Sequence, residues 1–386
     1  MKTEITRVVL VQNHLEELGG ITRFCALLGA GLESRGYQVE IGSVSPPVNR
    51  EEGVYPSTWN TWELTTRLSP HAQRSRIFKR PLGKAELRRQ LELFNAEVTE
   101  AAKAKFAQYG PETVVIFTQL YAHERVGQTV SVEERFGRFH LVAMYHNSYI
   151  GGVRVGDLRR VRREFFDADK FLSLTAEDAE LFRKAGLNNT GYIQNPMLQL
   201  EKSAYPAESR RIISLGRYDH QKSLDHLLEA WSLLGDDVEG WDLDLYGEGP
   251  ERGALEKKIE ENGLRNVNLM GTTTQALEKI RASAFSVQSS QYEGQPLALM
   301  ESCALGIPCV AYNCAPGVAE IIVDGETGIL AAANDPYELA FGMQQLMGSS
   351  ARRELLGAAA REHVAAVFDL QAVLDKWQDL FAELRV

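Results

Sequence analysis

Short apolar, β-branched runs alternate with amphipathic stretches along almost the whole chain. "RVVLVQ" precedes "ITRFCALLGAGLESRG", then comes "YQVEIGSV", and further on "TVVIFT", "FHLVAMYH", "KFLSLT" and "TGYIQN". Fully apolar strands bounded by helical periods predict parallel sheet with crossover helices, because a strand covered on both faces has no polar side to alternate with. The stretch from Pro46 to about Lys84 breaks the rhythm and reads as an irregular, helix-containing insert. A polar segment with two prolines, "QNPMLQLEKSAYPAESR", has the character of an interdomain linker. The alternation then restarts at "RIISLG" (211–216). It continues through a helix from Ser223, "LDLYG", a helix from Pro250, "NVNLMG", a helix near Gln275, "FSVQSS", a helix from Pro296 and "PCVAY". Three helical stretches (about 336–347, 351–366 and 371–384) close the chain. Each half carries the elements of a doubly wound α/β domain.

Such sheets bind ligands outside the carboxyl ends of their strands, so the residues following each strand are the place to look for chemistry. After the first strand, "NHLEELGGITRF" places Gly19 and Gly20 at a helix start, where free N–H groups favour an anion. A Gly-Gly pair alone is no more than a tight turn. After "RIISLG" come Arg217 and Lys222, a fork and a point charge suited to a diphosphate, although an isolated Arg and Lys are more often solvated surface cations. His146 ends the strand "FHLVAMYH", in a place where a structural and a catalytic role are equally open. "WDLDLY" contains Asp242 and Asp244 in a metal-like Asp-x-Asp. Their alternation with Leu243 and Leu245 predicts that both point to solvent, a decoy and not a metal site.

"YEGQPLALMES" (292–302) holds a misfit. Pro296 suits a first helical turn, and the apolar stripe from Leu297 and Met300 to Ala304 has Glu301 inside it. A buried carboxylate costs several kcal/mol unless paired, so Glu301 calls for a basic side chain or a ligand.

Composition narrows the classes. The 386 residues suit two domains; they are 44% hydrophobic and 24% charged, with a formal net charge of −10 that argues against a nucleic-acid binder. Within this acidic chain, Arg67 to Arg89 is basic (Arg67, Arg74, Arg76, Lys79, Arg80, Lys84, Arg88, Arg89), and Arg159, Arg160, Arg162 and Arg163 form a second cluster. Charge runs are commonly solvated helix faces. Against so acidic a background, the first run, with Trp59, Trp62 and Phe78 nearby, reads instead as a contact for anionic membrane or a phosphate-bearing glycan polymer. Cys25, Cys303, Cys309 and Cys314 lack zinc or redox spacing and read as buried small hydrophobes in a reducing compartment. The amino terminus shows no signal-peptide hydrophobic region and no run reaches the roughly 20 apolar residues of a membrane span. The expectation is a cytoplasmic protein, with peripheral attachment at the inner membrane face through the basic run.

Taken together, "EGQPLALME" (Glu, seven residues, Glu), "LGRYDHQKS", "YGEGPE", the early Gly-Gly turn and "GVAEIIVDGETGIL" resemble glycosyltransferase family 4, the retaining transferases of the GT-B fold. The likeness covers the second half in order and spacing, and the first half at the Gly-Gly turn, His146 and the strand order. It implies two Rossmann-like domains facing across a cleft. Residues 1–200 would be the acceptor-binding domain, with a C-terminal helix (369–386) packing back on it, and 201–368 the donor-binding domain. It further implies that Glu301 binds the ribose of a nucleotide sugar and Glu293 the transferred sugar. Arg217 and Lys222 would neutralise the diphosphate, Gly19 and Gly20 would offer it backbone amides, and His146 would meet sugar hydroxyls. Gly294, Gln295 and Leu297 would line the donor at the helix start. No cofactor or metal is required in this scheme: the two cations supply the charge.

The sequence departs from the family at Ser223, where the family usually has Gly, and at Gln295 and Pro296, where many relatives have Phe-Gly. These put donor identity in doubt more than fold. The function implied is transfer of a hexose or N-acetylhexosamine, with retention, from a UDP-sugar to a cell-envelope glycan, glycopolymer or lipid-linked acceptor. Alternatives are a GDP-mannose-dependent mannosyltransferase, a sugar-nucleotide epimerase of the same fold, a pyridoxal-phosphate phosphorylase and a non-catalytic sugar-nucleotide sensor.

Overall fold

The computed structural model describes residues 3–17, 19–47, 53–69, 84–135 and 137–384. The chain divides into two units, residues 1–196 with 370–386, and residues 197–369. The first division thus falls before the 200/201 boundary expected from the linker, because the bridge between Met197 and Asp369 already belongs to the second unit.

The first unit is built on a seven-stranded sheet in the order β3-β2-β1-β4-β5-β6-β7. The strands are β1 (Arg7–His14), β2 (Gln38–Ser45), β3 (Asn60–Glu63), β4 (Thr113–Phe117), β5 (His140–Met144), β6 (Lys170–Ser173) and β7 (Thr190–Tyr192). Every pair is parallel. Alternate residues serve opposite faces, as strand geometry requires. Val8 and Leu10 pack with Phe24, Leu28, Leu374 and Trp377 on one side; Val9 and Val11 pack with Phe94, Val98 and Phe106 on the other. The helix Leu370–Glu383 supplies Val373, Leu374, Trp377, Leu380 and Phe381 to the first of these cores. Arg35 ties it to helix Gly20–Ser34 through Asp375 at 2.7 Å.

The irregular insert read from Pro46 to Lys84 contains a regular element, the edge strand β3, paired in register with Glu40–Ser43. Its short sequence, Asn-Thr-Trp-Glu, is too polar to announce a strand. Arg74, Arg76, Phe78, Lys79 and Arg80 lie outside the described residues. Of the rest of that basic run, Arg67 pairs with Glu97, Arg88 with Glu92 and Arg89 with Glu86. In the second cluster Arg160 and Arg163 are held by Glu124, Asp157 and Glu164. Among the described residues no helix is long and apolar enough to cross a membrane. All four cysteines are buried and free.

The second unit carries a six-stranded sheet in the order β10-β9-β8-β11-β12-β13. These are β8 (Arg211–Leu215), β9 (Asp242–Tyr246), β10 (Val267–Gly271), β11 (Phe285–Gln288), β12 (Cys309–Asn313) and β13 (Ile329–Ala332). All pairs are again parallel. β13 was not foreseen as a strand; it begins on the last two residues of "GVAEIIVDGETGIL", after the helix Pro316–Ile321. Leu227 and Trp231 of helix Leu224–Leu233, Leu243 and Leu245 of β9, and Met300 of helix Leu297–Ala304 share one core.

The Asp-x-Asp expectation fails in one respect. Asp244 is buried, not solvent-facing: Arg211 donates to it at 2.7 Å and Asn268 at 2.8 Å. The partners come from the two neighbouring parallel strands: Asn268 stands opposite Asp244 on β10, and Arg211 stands two residues before Ile213, the residue opposite Asp244 on β8. A two-residue alternation cannot foresee such long-range pairing. Asp244 is a structural carboxylate with its charge already answered, and among the described residues no group of three His, Cys, Asp or Glu side chains gathers to hold a metal.

Candidate functional site

In the second unit the chain leaves β8 through Gly216 and runs by Arg217, Tyr218 and Asp219 to Lys222 and Ser223. The glycine motif after β9 is what holds this turn. Tyr218 N donates to Glu248 O at 2.9 Å, Glu251 N to Tyr218 O at 3.0 Å, and the Tyr218 hydroxyl to Leu245 O at 2.5 Å. The two turns press together so closely that a Cβ on Gly247, whose φ is +148°, would stand 1.8 Å from Gly216 O. Only glycine fits there. "YGEGPE" therefore acts as the mould for the cationic turn and brings no reactive group of its own.

Lys222 and Glu293 form a buried ion pair, Nζ to Oε1 at 2.5 Å, with side chains 19% and 8% exposed. The loop after β11 brings Glu293 there, and backbone and side-chain hydrogen bonds stitch it to the 221–223 turn. Gln291 N donates to Gln221 O at 2.9 Å, Ser289 Oγ to Lys222 O at 2.8 Å, Gln221 Nε2 to Tyr292 O at 3.1 Å and Gln291 Nε2 to Ser223 Oγ at 2.5 Å. Glu293 also accepts from Gln288 Nε2 at 2.9 Å. Arg217 behaves differently. It is 73% exposed and its guanidinium meets Asp219 at 2.9 Å, so it is a surface cation beside a built-in one.

Ser223 explains its own departure. It sits in the left-handed region at φ 43°, ψ 48°, fully buried, as the N-cap of helix Leu224–Leu233. A glycine would occupy that conformation without strain, whereas a serine bears a cost of about 1–2 kcal/mol. The Gln291 bond to its hydroxyl offsets part of that cost.

Helix Leu297–Ala304 begins one residue later than expected. Pro296 is its N-cap, with an extended ψ of 115°, and not a first-turn residue. Glu301 is buried on this helix, as the apolar stripe implied. Glu293, Gly294 and Gln295 form the approach to the helix, all three buried, and Leu297 is half-buried at its first position. Gly294 is pinned by the following helix: a Cβ on Gly317 would lie 2.1 Å from its carbonyl oxygen. The Gln295 amide donates to Glu320 at 2.8 Å, so its nitrogen is engaged within the protein. The second unit thus brings Lys222 and Glu293 into contact and holds Arg217 on the same turn, with Gly294, Gln295 and Leu297 on the segment that continues from Glu293. The residues that sequence reasoning missed are Gln221, Gln288, Ser289 and Gln291. Neutral amides and hydroxyls carry no charge signal; only their fold-dependent bonding reveals them.

In the first unit Gly20 starts the helix Gly20–Ser34 and Gly19 is its N-cap at φ 155°, ψ −179°, a region essentially reserved for glycine. The first amides of that helix have no acceptor within the helix, as at any helix start. His146 follows β5, its ring edge-on to Phe24 at 4.6 Å between centroids. Its Nε2 is enclosed and has no hydrogen-bond partner among the described residues. Burial lowers its pKa from 6.5 to about 4, so the ring is neutral at physiological pH. Near the end of β1, Asn13 Oδ1 is likewise enclosed without a partner among the described residues, while Asn13 N donates to Gln119 Oε1 at 2.8 Å. Orphaned buried polar atoms are rare in folded proteins.

Comparison with known proteins places these features. Residues 198–363, nearly all of the second unit, match the family model described as glycosyl transferases group 1. An exopolysaccharide phosphotransferase of Streptomyces coelicolor is 35% identical over 177 residues, 45% of this chain and 19% of that protein. The amylovoran biosynthesis glycosyltransferase AmsD of Erwinia amylovora is 27% identical over 222 residues (55% and 62%). A poly(ribitol-phosphate) alpha-N-acetylglucosaminyltransferase of Staphylococcus aureus is 26% identical over 208 residues (53% and 42%). The chain therefore spans 19% to 62% of the length of these relatives. Among solved structures, S. aureus TarM in complex with fondaparinux, alpha-GlcNAc-glycerol and UDP is similar with a TM-score of 0.77 at 14% identity, covering 98% of this chain and 100% of that one. Anabaena HepE in complex with UDP and glucose gives 0.71 at 16% identity, covering 97% and 99%. With such GT-B structural neighbours, the two Rossmann-like units have the expected α/β architecture, and the likeness to glycosyl transferases group 1 lies in the second unit.

Proposed function

We propose that this protein is a retaining glycosyltransferase that moves a hexose or N-acetylhexosamine from a UDP-sugar to a cell-envelope glycan or glycopolymer. The observation that carries the reading is the Lys222–Glu293 pair, built at the carboxyl ends of β8 and β11 within the segment that matches glycosyl transferases group 1. Support for the donor comes from the UDP bound in the TarM and HepE complexes, and for the acceptor from the polymers named in the relatives.

In this reading the Lys222 ammonium, of whose three N–H donors one is spent on Glu293, turns the remaining two to the diphosphate. Arg217 swings from Asp219 to add a second positive charge. Fixed positive charge of this kind stabilises the leaving diphosphate as the anomeric bond breaks, and the proposed reaction runs without a metal. Glu293 accepts hydrogen bonds from the sugar and Glu301 from the ribose; Gly294, Gln295 and Leu297 shape the donor's surroundings. For the first unit, the reading assigns the Gly19 and Gly20 backbone to the diphosphate and the neutral His146 to a sugar hydroxyl. Retention without a protein nucleophile follows from front-face attack, the acceptor hydroxyl forming the new bond on the side the diphosphate leaves and passing its proton to the departing phosphate oxygen. The protein acts in the cytoplasm in this scheme, with Arg67–Arg89 meeting anionic membrane or polymer.

The deciding experiment is calorimetric titration with UDP, GDP and their sugars, followed by mass spectrometry of acceptor products and NMR of the new anomeric centre. Tight UDP binding, an α-linked product from an α-linked donor and full turnover in EDTA are expected. Preferential GDP binding, an inverted product, or isomerisation of donor alone would overturn the reading.

A further inference from the structure

Glu293 does not reach its position by the Lys222 pair alone. Its Oε1 receives two donors, Lys222 Nζ at 2.5 Å and Gln288 Nε2 at 2.9 Å, whereas Oε2 has a single long contact from Gln221 Nε2 at 3.5 Å. A carboxylate accepts only, so the atom Gln288 turns toward it must be its amide nitrogen. The same nitrogen also donates to Ser290 Oγ at 3.1 Å, which locks the amide from a second side.

We infer that Gln288, the last residue of β11, is a positioning residue that fixes the Glu293 carboxylate with Oε1 saturated and Oε2 free to accept from a hydroxyl of the transferred sugar. A lysine on a flexible four-carbon stem cannot choose between two equivalent oxygens. An amide anchored in a strand end can, because its approach direction is set by the sheet. Fixing the carboxylate in advance removes a reorganisation that the donor's sugar would otherwise have to drive, and that is the physical content of preorganisation in an active site. The loop does not depend on Gln288 for its shape. The four bonds that tie residues 289–292 to 221–223 involve other side chains and backbone atoms, so removal of the Gln288 amide loosens the carboxylate and not the fold.

This inference rests on the assignment of Glu293 to the donor sugar, and its test separates the two. Gln288→Leu, Glu293→Gln and the double variant form a thermodynamic cycle, read as kcat and KM for transfer from a UDP-sugar. Gln288→Leu alone is expected to lower kcat about tenfold with little change in KM or in Tm. In the Glu293→Gln background the same change is expected to cost almost nothing. Equal losses in both backgrounds, or a loss confined to Tm, would overturn the positioning role. A crystal structure of ligand-free Gln288→Leu gives an answer even if no UDP-sugar is turned over, in which case the functional reading falls by itself. A displaced or split Glu293 carboxylate supports the inference; an unchanged one, with Oε1 still on Lys222, defeats it.

Discussion

The carboxyl edges of the two sheets are prepared in different ways. In the second unit the charged groups named for the candidate site already have protein partners, as does the Gln295 amide: Lys222 has Glu293, Glu293 has Gln288, Arg217 has Asp219, and Gln295 has Glu320. In the first unit the corresponding edge holds polar atoms left over, His146 Nε2 and Asn13 Oδ1, both enclosed and unanswered. One edge stores charge in internal pairs that a ligand can exchange; the other stores unmet hydrogen-bonding capacity. The contrast teaches that a binding surface need not look empty to be ready. It also teaches that a buried polar atom without a partner is a stronger hint than a charged one with a partner.

The largest test of this contrast is Lys222→Ala. It strips the second edge of its central cation and leaves Glu293 buried, held only by amides. Turnover should fall by on the order of a hundredfold or more, about 3 kcal/mol of transition-state stabilisation. Unfolding free energy should fall by about 3 kcal/mol, because half of a buried pair remains. Denaturant titration of Lys222→Met/Glu293→Gln then separates the two effects: stability should return and activity should not. Retained turnover in Lys222→Ala would dissolve the contrast outright.

A second test probes the first edge through its neutral histidine. His146 titrates near 4 in the folded protein and near 6.5 when unfolded, so protons bind the unfolded chain more tightly. Its contribution is complete above about pH 6.5 and is lost as pH falls toward 4, up to about 3 kcal/mol in all. His146→Phe should flatten that limb of a stability-versus-pH curve measured by urea denaturation. If His146→Phe leaves the slope between pH 6.5 and 4 unchanged, the ring is not held neutral by burial.

The smallest test is Ser223→Gly. Relief of the left-handed backbone stabilises by about 1 kcal/mol, and loss of the Gln291 bond removes about 1 kcal/mol. Tm should move by only a few degrees in either direction. The informative readout is hydrogen exchange at Gln221 and Gln291: faster exchange without loss of global stability would show that the serine hydroxyl, and not the backbone, keeps the two loops together.

Much of this was legible before any coordinates. Apolar strands at regular spacing declared two parallel sheets, and Glu301 announced itself by sitting in an apolar stripe. Strand-end position singled out Arg217, Lys222 and His146. What escaped had physical causes. β3 is too short and polar to show a period, and Asp244 is answered by partners on the two adjacent strands, far away in sequence. Gln288 and Gln221 act through bonds to a loop that only the folded sheet brings near. Long-range pairing of uncharged side chains leaves no local pattern.

The return of helix Leu370–Glu383 to the first unit has a consequence for synthesis. Five of its side chains complete a core whose other members lie within the first 193 residues. On a ribosome the amino-terminal half therefore emerges with one sheet face covered only in part, by helix Gly20–Ser34, and waits through the whole second unit for its final helix. Its nascent form should lean on chaperones, and fragments ending near residue 196 should aggregate where fragments spanning 197–369 do not.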